Sequence, residues 1–304
     1  HGHGLMDSGE AVFWSGERGI AQDVGVVMAG THWAGMSEGD LVTVATALSN
    51  VSTFPNVAER VMQGIVNMLV LTRTMSGQCT LDPAFEIDGV LAYDPDERYY
   101  LGISQGAIYG QTYMALSQDL ERGVLNVGGT IYPVMIGRSV DFRDYELVYE
   151  AWYSDRIDRE FFMNLIQQLW DMCEGAGYLP HLHGDTFPDT GTKKILYQVA
   201  LHDAQVPNVA SDMAARTAGW PQLVPTMHEV WGVEDAPTEP YDGSAIQYWD
   251  CGAEPLDTGN NPPEEDNVAH DCVRRLTAAK EQLDAFWQPD GQVVNTCDGE
   301  CDPE

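Results

Sequence analysis

Ser104 has the sequence surroundings of a nucleophile. It lies in the run Gly102-Ile103-Ser104-Gln105-Gly106, between an apolar, strand-like segment and a stretch of small residues typical of a helix start. A serine on a sharp turn from a strand into a helix is exposed at the strand tip, and flanking glycines avoid collisions with neighbouring backbone. The following helix dipole favours negative charge beside the hydroxyl. The pattern predicts covalent catalysis by Ser104, with a structural serine as the alternative.

A second segment, Gly35-Met36-Ser37-Glu38-Gly39, matches the same G-x-S-x-G pattern. Its upstream apolar segment, 24–29, ends well before the serine. Asp40 follows Ser37 at capping-box spacing and precedes the apolar run 41–48. We therefore predict that Ser37 is a helix N-cap.

A serine nucleophile needs a base within hydrogen-bond reach and an acid that orients the base. Asp203 follows a buried-type strand and precedes Val206-Pro207. His270 lies between an acidic, Pro-rich loop at 254–267 and an amphipathic helix. We predict that Asp203 and His270 are the acid and the base. The alternatives are that Asp203 caps the next helix, that His270 is a solvated loop residue, or that Asp212 or His228 takes part instead.

The order Ser-Asp-His resembles the α/β-hydrolase superfamily, and within it a bacterial branch of serine esterases and lipases. The opening His1-Gly2-His3-Gly4-Leu5 resembles the His-Gly oxyanion loop of that family. The resemblance implies that the backbone N–H groups of Gln105 and Leu5 hold the oxyanion, with Gly4 as the other candidate. A tag remnant or a metal-chelating tail is the alternative interpretation of the opening residues.

The resemblance also places His3-Gly4 at the end of a central strand. The strands that usually precede this loop are not in these 304 residues. We therefore expect one sheet edge to be exposed or to be filled by something else.

Apolar runs and helical periodicities alternate along the chain, which predicts an α/β protein with a mostly parallel sheet covered on both faces. The predicted strands are 24–29, 99–103, 123–127, 194–201 and 245–249, and the predicted helices are 41–49, 56–72, 105–117, 208–217 and 273–287. The resemblance specifies an α/β-hydrolase core over 1–130 and 191–304, with a helical cap inserted at 131–190. The candidate triad then lies at the carboxyl edge of the sheet, where such folds bind ligands.

The segment predicted as a cap contains two aromatic helical stretches, 144–153 and 160–172. We expect it to line an apolar acyl pocket, although these aromatics could simply pack the cap onto the core. The candidate pocket residues are Tyr109, Tyr132, Met135 and Trp152.

The composition is strongly acidic, with a net charge of −32 and 15 Lys and Arg residues. Such a charge excludes a nucleic-acid-binding face and disfavours anionic membranes. The longest apolar run, 65–71, is too short for stable membrane insertion. An Asp-rich, Lys-poor surface is typical of halophilic proteins, because salt screens the self-repulsion that destabilises the compact state. An ordinary acidic secreted protein is the other interpretation.

The six cysteines permit three disulfides. Cys297 and Cys301 enclose a Gly turn and predict a local clip. The pairing of the other four cysteines stays open, and Cys251 with Cys272 beside His270 is one of the possibilities. Disulfides favour a secreted or periplasmic location. No second close Cys or His pair accompanies Cys297 and Cys301, as a zinc site would require. The acidic turns at 94–97 and 298–302 could bind Ca²⁺, but they lack EF-hand spacing and are expected to be solvated turns, so we predict no metal site.

These observations predict a serine carboxyl-ester hydrolase that acts through an acyl-enzyme on apolar or medium-chain esters, without a cofactor. The expected partner is a small-molecule or lipid-like ester. A lipase, a polyester hydrolase or an acyltransferase would use the same triad. A catalytically inactive binding protein of hydrolase fold is the alternative from another class. The oligomeric state does not follow from the sequence.

Overall fold

A computed structural model describes residues 1–302, which contain ten α-helices, six β-strands and several short 3-10 turns. The helices are α1 (Ser15–Val24), α2 (Leu41–Ser49), α3 (Pro55–Ser76), α4 (Gln105–Leu116), α5 (Tyr132–Ile136), α6 (Arg143–Trp152), α7 (Arg156–Trp170), α8 (Asn208–Ala218), α9 (Ala269–Cys272) and α10 (Thr277–Trp287). The strands are β1 (Glu86–Ile87), β2 (Val90–Leu91), β3 (Tyr99–Ile103), β4 (Arg122–Asn126), β5 (Lys194–Ala200) and β6 (Ala245–Trp249).

The central sheet has the order β3-β4-β5-β6, and all three strand pairs are parallel. The short strands β1 and β2 form a separate antiparallel hairpin. Parallel strands need crossover connections, and α4, the helical segment 131–190 and α8 supply them. The carboxyl ends of the four strands therefore share one edge. The predicted α/β class with a parallel sheet is confirmed.

Helices cover both faces of the sheet. Alternate strand residues, such as Tyr100 and Tyr197, pack in one buried cluster with residues from α2, α3, α4 and α8. The intervening residues, such as Leu101 and Leu196, pack in a second cluster with α1 and α10. Burial on both faces explains why the strands are apolar runs rather than alternating ones.

The outer edge of β3 is partly filled by the start of the chain. The Gly2 N–H donates to the Leu101 carbonyl (2.9 Å), and the Ile103 N–H donates to the Gly2 carbonyl (3.2 Å). Near the first residues of β3, this edge borders a cavity of about 390 Å³ that is lined in part by residues 24–29. The expectation of an incompletely paired edge therefore agrees with the structure.

The predicted strand at 24–29 is wrong. Helix α1 continues to Val24 and ends at Gly25, which has φ 75°, and the following residues are irregular. The Val26 N–H turns back to the Ala21 carbonyl instead of joining a ladder. A short apolar run does not distinguish a strand from a buried loop, because a strand also needs a partner with free backbone groups.

The helix predicted at 273–287 begins later than expected. Leu276 has an extended backbone (ψ 135°), which separates α10 from α9 and a 3-10 turn at 273–275. His270 therefore lies within the short helix α9 rather than in a loop before a helix. The other predicted helices agree with the structure to within a few residues, and α2 has the predicted bounds.

The regular elements of segment 131–190 are all helical. Helices α6 and α7 correspond to the two predicted aromatic stretches. The Tyr132 ring stacks on that of Trp170 with 4.2 Å between centroids, and Phe54 from the N-terminal region packs edge-on against Trp170 at 4.5 Å. These rings join the segment to the core.

Two disulfides form, namely the predicted clip Cys297–Cys301 and Cys251–Cys272, one of the pairings that the sequence leaves open. Cys79 and Cys173 remain free thiols. Burial raises the pKa of Cys173 to about 12. Two disulfides are consistent with the expected oxidising compartment. Across residues 1–302, no helix combines the length and the apolar character needed to cross a membrane.

We expect added salt to stabilise this fold. Acidic residues outnumber Lys and Arg by 32, so most carboxylates have no cationic partner and repel one another. Raising NaCl to about 1 M shortens the Debye length to about 3 Å and screens this repulsion. The melting temperature should rise by about 2–4 °C for each kcal/mol gained. A melting temperature that falls with NaCl would contradict the prediction.

Candidate active site

Ser104 lies at the turn from β3 into α4, in a backbone conformation that non-glycine residues seldom adopt. Its φ is 57° and its ψ is −121°. The Ser104 N–H donates to the Asn126 carbonyl of the neighbouring strand (2.9 Å), and the Ser104 carbonyl accepts from Ala107 (2.8 Å) and Ile108 (3.1 Å). Such a conformation costs about 1–3 kcal/mol and persists only where surrounding structure imposes it. The predicted strained turn is present.

The two glycines that flank Ser104 are required by close backbone contacts. A Cβ on Gly102 would lie 2.3 Å from the Gly106 carbonyl oxygen, and one on Gly106 would lie 2.0 Å from the Gly2 carbonyl oxygen. The chain can therefore turn this sharply only with glycine at both positions.

Asp203 and His270 form a buried hydrogen-bonded pair. The His270 Nδ1–H donates to Asp203 Oδ2 at 2.7 Å, and both side chains are almost fully buried. The other carboxylate oxygen accepts from the backbone N–H groups of Gln205 (2.8 Å) and Val206 (3.0 Å). These bonds orient the imidazole and leave its Nε2 as the nitrogen free to accept a proton.

Two asparagines hold the acid loop and the histidine helix in place. Asn208 accepts from the His202 N–H (2.7 Å) and donates to the Ala200 carbonyl (2.7 Å), which closes the turn before Asp203. Asn267 donates to the His202 carbonyl (2.7 Å) and accepts from the Ala269 N–H (3.1 Å), which ties α9 to that turn. The positioning role of Asn267 depends on a contact across 65 residues, so no local pattern signals it.

The charge state of His270 depends on two opposing effects. Burial lowers the pKa of His270, whereas the Asp203 carboxylate raises it, and the resulting pKa lies above the usual value. An imidazole whose protonated form is stabilised by a buried carboxylate is a stronger general base.

His3 holds the opening loop beside Ser104. Burial lowers the pKa of His3 to about 4, so its ring is neutral. Its Nε2 accepts from the Trp33 N–H (2.8 Å), which leaves Nδ1–H to donate to the Gly4 carbonyl (2.8 Å). His3 is 1% exposed, as expected of a packed loop rather than a free tail.

The three candidate oxyanion donors lie around Ser104. The Gln105 N–H belongs to the first turn of α4 and has no acceptor within the helix. Its side chain donates to the Met36 carbonyl (2.8 Å) and so anchors the residue. Gly4 and Leu5 line the cleft that contains Ser104, and a Cβ on Gly4 would lie 4.0 Å from the Ser104 Cβ.

Ser104 lies where two cavities meet. An open cleft of about 750 Å³ contains Ser104 and His270. A smaller apolar cavity of about 90 Å³ begins at Ser104 and extends under α5 and α7. No hydrogen bond joins Ser104 to His270 in the structure, and such bonds commonly form only when substrate is bound. Leu5, Asp141 and several neighbours line both cavities.

Two of the four predicted pocket residues, Tyr132 and Met135, line the apolar cavity. Tyr109 lies behind Tyr132, with ring centroids 6.2 Å apart, and is fully buried outside the cavity lining. Trp152 lies at the end of α6, is 67% exposed and lines neither cavity. Met36 and Phe54 also line this cavity, and no local sequence pattern predicts them there, because they come from distant segments.

The alternative residues lie elsewhere. Ser37 donates to Asp40 Oδ2 (2.7 Å) within a capping box, so the predicted N-cap is confirmed. His228 contacts Asp212 (3.1 Å), and Tyr248 also donates to that carboxylate. None of these residues lines the cleft that contains Ser104.

No protein-family model matches this chain, and neither the curated proteins nor the solved structures include a significant match. Within residues 1–302, no group of three or more His, Cys, Asp or Glu side chains is arranged to hold a metal ion.

We expect the Cys251–Cys272 disulfide to support the position of His270. It joins the end of β6 to α9, two residues beyond the histidine, across a separation of 21 residues. The double substitution Cys251→Ser/Cys272→Ser should lower the free energy of unfolding by about 2–4 kcal/mol and lower kcat. Denaturant unfolding and ester turnover measure the two effects. The matched control, Cys297→Ser/Cys301→Ser, opens a separation of only 4 residues and should cost less. Equal losses in both variants would contradict a role specific to His270.

Proposed function

We propose that this protein is a serine carboxyl-ester hydrolase of the α/β-hydrolase type, with segment 131–190 as its cap. The observation that carries the proposal is the combination of a strained Ser104 at a strand-to-helix turn with a buried Asp203–His270 pair beside the same cleft. Strain of this kind concentrates at functional sites. A nucleophile, a base and an orienting acid are the parts that acyl transfer needs.

In the first half-reaction, Ser104 Oγ attacks the ester carbonyl carbon while His270 Nε2 accepts the hydroxyl proton. Asp203 stabilises the imidazolium and holds its tautomer through the bond to Nδ1. The oxyanion accepts hydrogen bonds from the N–H groups of Gln105 and Leu5, with Gly4 as the other candidate donor. The tetrahedral intermediate collapses when His270 returns the proton to the leaving alcohol.

In the second half-reaction, His270 accepts a proton from a water molecule, whose oxygen attacks the acyl-enzyme carbonyl. Collapse of that intermediate releases the acid and returns the proton to Ser104 Oγ. These residues carry every proton that moves, so the proposed reaction needs no cofactor or metal.

The two cavities favour different parts of an ester. The apolar cavity is closed by hydrophobic side chains such as Met36, Ile108 and Met163, and it suits the acyl chain. The open cleft suits the alcohol, which leaves through solvent. The small volume of the apolar cavity, about 90 Å³, favours short and medium acyl chains.

Hydrolysis of p-nitrophenyl esters from acetate to palmitate tests this proposal. Turnover that peaks at short or medium chains supports the esterase, and a peak at palmitate supports the lipase alternative. A product ester formed in the presence of an added alcohol would indicate an acyltransferase. A folded protein without turnover on any ester and without fluorophosphonate labelling would overturn the proposal in favour of an inactive binding protein.

Met135→Ala should move the acyl preference toward longer chains. Met135 is buried in the lining of the apolar cavity, and truncation to Ala removes three heavy atoms from that wall. The ratio of kcat/KM for octanoate to that for butanoate should rise about tenfold, because each buried methylene contributes about 0.8 kcal/mol. Met62→Ala is the control, since Met62 lies exposed on α3 outside the cavity. An unchanged ratio in Met135→Ala would place the acyl chain elsewhere.

A further inference from the structure

The open cleft beside Ser104 is strongly acidic. Its carboxylate-bearing lining residues are Asp7, Glu17, Asp141, Asp144, Asp266 and Asp271. The two arginines in the lining, Arg143 and Arg274, are outnumbered three to one by these carboxylates.

Both arginines are already engaged by the protein. Arg274 pairs with Asp271 and donates to the His270 carbonyl (2.7 Å). Arg143 donates to the backbone carbonyl of Glu264 on the far loop. Arg274 therefore neutralises Asp271, and neither guanidinium forms an ion pair with the other five carboxylates of the cleft.

Three of the carboxylates, those of Glu17, Asp141 and Asp144, have no hydrogen-bonding partner within residues 1–302, and of these only Asp144 is exposed. Glu17, in the first turn of α1, is only 9% exposed, and its carboxylate has neither an ion pair nor a hydrogen bond. The Asp141 carboxylate also accepts no hydrogen bond and lines both cavities beside Ser104. Burial raises the pKa of Asp141 to about 6, against the effect of nearby His270. A carboxylate that lines a cleft without a cationic partner attracts positively charged ligands, because no protein charge offsets its own.

Aromatic side chains stand beside these carboxylates. Trp14, the residue before α1, is 51% exposed and lines the cleft three positions before Glu17. Tyr145 lines the cleft near Asp141. Aromatic faces attract organic cations, most strongly tryptophan, and add to the attraction of the carboxylates.

We propose that the natural substrate is an ester whose alcohol carries a positive charge, such as a quaternary or protonated amino alcohol. This inference rests on the proposed function, in which the acyl group enters the apolar cavity and the alcohol lies in the acidic cleft. The cation contacts Trp14 and Glu17, and the unpaired Asp141 carboxylate attracts it toward Ser104. An anionic alcohol is repelled by the same groups.

Three butanoate esters with alcohols of matched size and different charge test the inference. They are the esters of 2-(trimethylammonio)ethanol, of its neutral carbon analogue 3,3-dimethylbutanol, and of the anionic 2-hydroxyethanesulfonate. The esters are compared at about pH 8, above the pKa of about 6 to which burial raises Asp141. In low salt, kcat/KM should be on the order of tenfold higher for the cationic ester than for the neutral one, and lowest for the anionic ester. The preference should shrink in about 1 M NaCl, where the Debye length is about 3 Å.

Charge-neutralising substitutions show which cleft residues cause the preference for the cationic ester. Glu17→Gln and Asp144→Asn, singly and combined, should lower the ratio of kcat/KM for the cationic ester to that for the neutral ester several-fold. Glu59→Gln is the matched control, because Glu59 is exposed on α3 away from the cleft, and its ratio should not change.

The outcomes separate this inference from the proposed function. Loss of fluorophosphonate labelling and of all ester turnover would overturn the function itself. Turnover of the three esters at equal kcat/KM, or a cationic preference unaffected by both cleft variants, would overturn only the cationic alcohol. For a cleft variant that does not fold, the salt dependence of the wild-type ratio decides: a ratio that does not change with NaCl overturns the inference.

Discussion

Replacing Ser104 by alanine should lower kcat for ester hydrolysis by about 10⁵- to 10⁶-fold and abolish labelling by a fluorophosphonate. The reason is that the hydroxyl oxygen forms the acyl bond, and no other cleft residue is placed to replace it. The fold should be retained, because the Ser104 side chain has no hydrogen bond in the structure and alanine keeps its Cβ. Steady-state kinetics and mass spectrometry of the labelled protein measure both effects.

Ser37→Ala is the matched control for Ser104→Ala, since both serines lie in a G-x-S-x-G segment. Ser37 donates to the buried Asp40 carboxylate, which also pairs with Arg60. Its loss should cost about 1–3 kcal/mol of stability and leave labelling intact. Retained turnover in Ser104→Ala, together with lost labelling in Ser37→Ala, would transfer the nucleophile to Ser37 and refute the proposed triad.

Asp203→Asn should lower kcat by about 10⁴-fold without removing the nucleophile. An asparagine can present its N–H₂ group to His270 Nδ1, which favours the tautomer whose Nε2 is protonated and cannot accept from Ser104. The loss should be evident in steady-state kinetics, whereas circular dichroism should show an unchanged fold. Asp212→Asn is the control, because Asp212 bonds His228 and Tyr248 away from the cleft.

The same pair predicts the pH dependence of the wild type. Only neutral imidazole accepts the serine proton, so kcat/KM should fall as the pH drops through the pKa of His270. The Asp203 carboxylate raises the pKa of His270 above the ordinary value of about 6.5. The acidic limb should therefore have its midpoint above about 6.5, and residual activity in Asp203→Asn should have its midpoint at lower pH. A wild-type acidic limb with its midpoint below about 6.5 would show that His270, paired with Asp203, is not the general base.

The elements that surround Ser104 could be predicted because their signals are local. The strand at 99–103, the sharp turn and the start of α4 depend on neighbouring residue types, and the structure has them at the predicted positions. The Ser37 capping box and the Cys297–Cys301 disulfide are also local, since each joins residues three or four apart. Steric and hydrogen-bonding rules over such short distances act in nearly any fold.

Features that need a distant partner were predicted less well. The apolar segment 24–29 was predicted as a strand, but no strand pairs with it, and Gly2 lies at the edge of β3 instead. Trp152 was expected in the pocket, yet α6 turns its Tyr149 side inward and leaves Trp152 in solvent. A helical aromatic pattern does not specify which side contacts a particular cavity.

Residue types and their spacing are enough to predict the members of the candidate triad, their order, the parallel α/β class and the large negative charge. The packing of distant segments is needed to bring Asp203 and His270 within 2.7 Å, to let Asn267 connect their two loops, and to place Ser104 between an apolar cavity and an acidic cleft. The physical reason is that residue type and spacing set local backbone geometry. The meeting of side chains 67 residues apart depends instead on how the whole sheet and its helices pack.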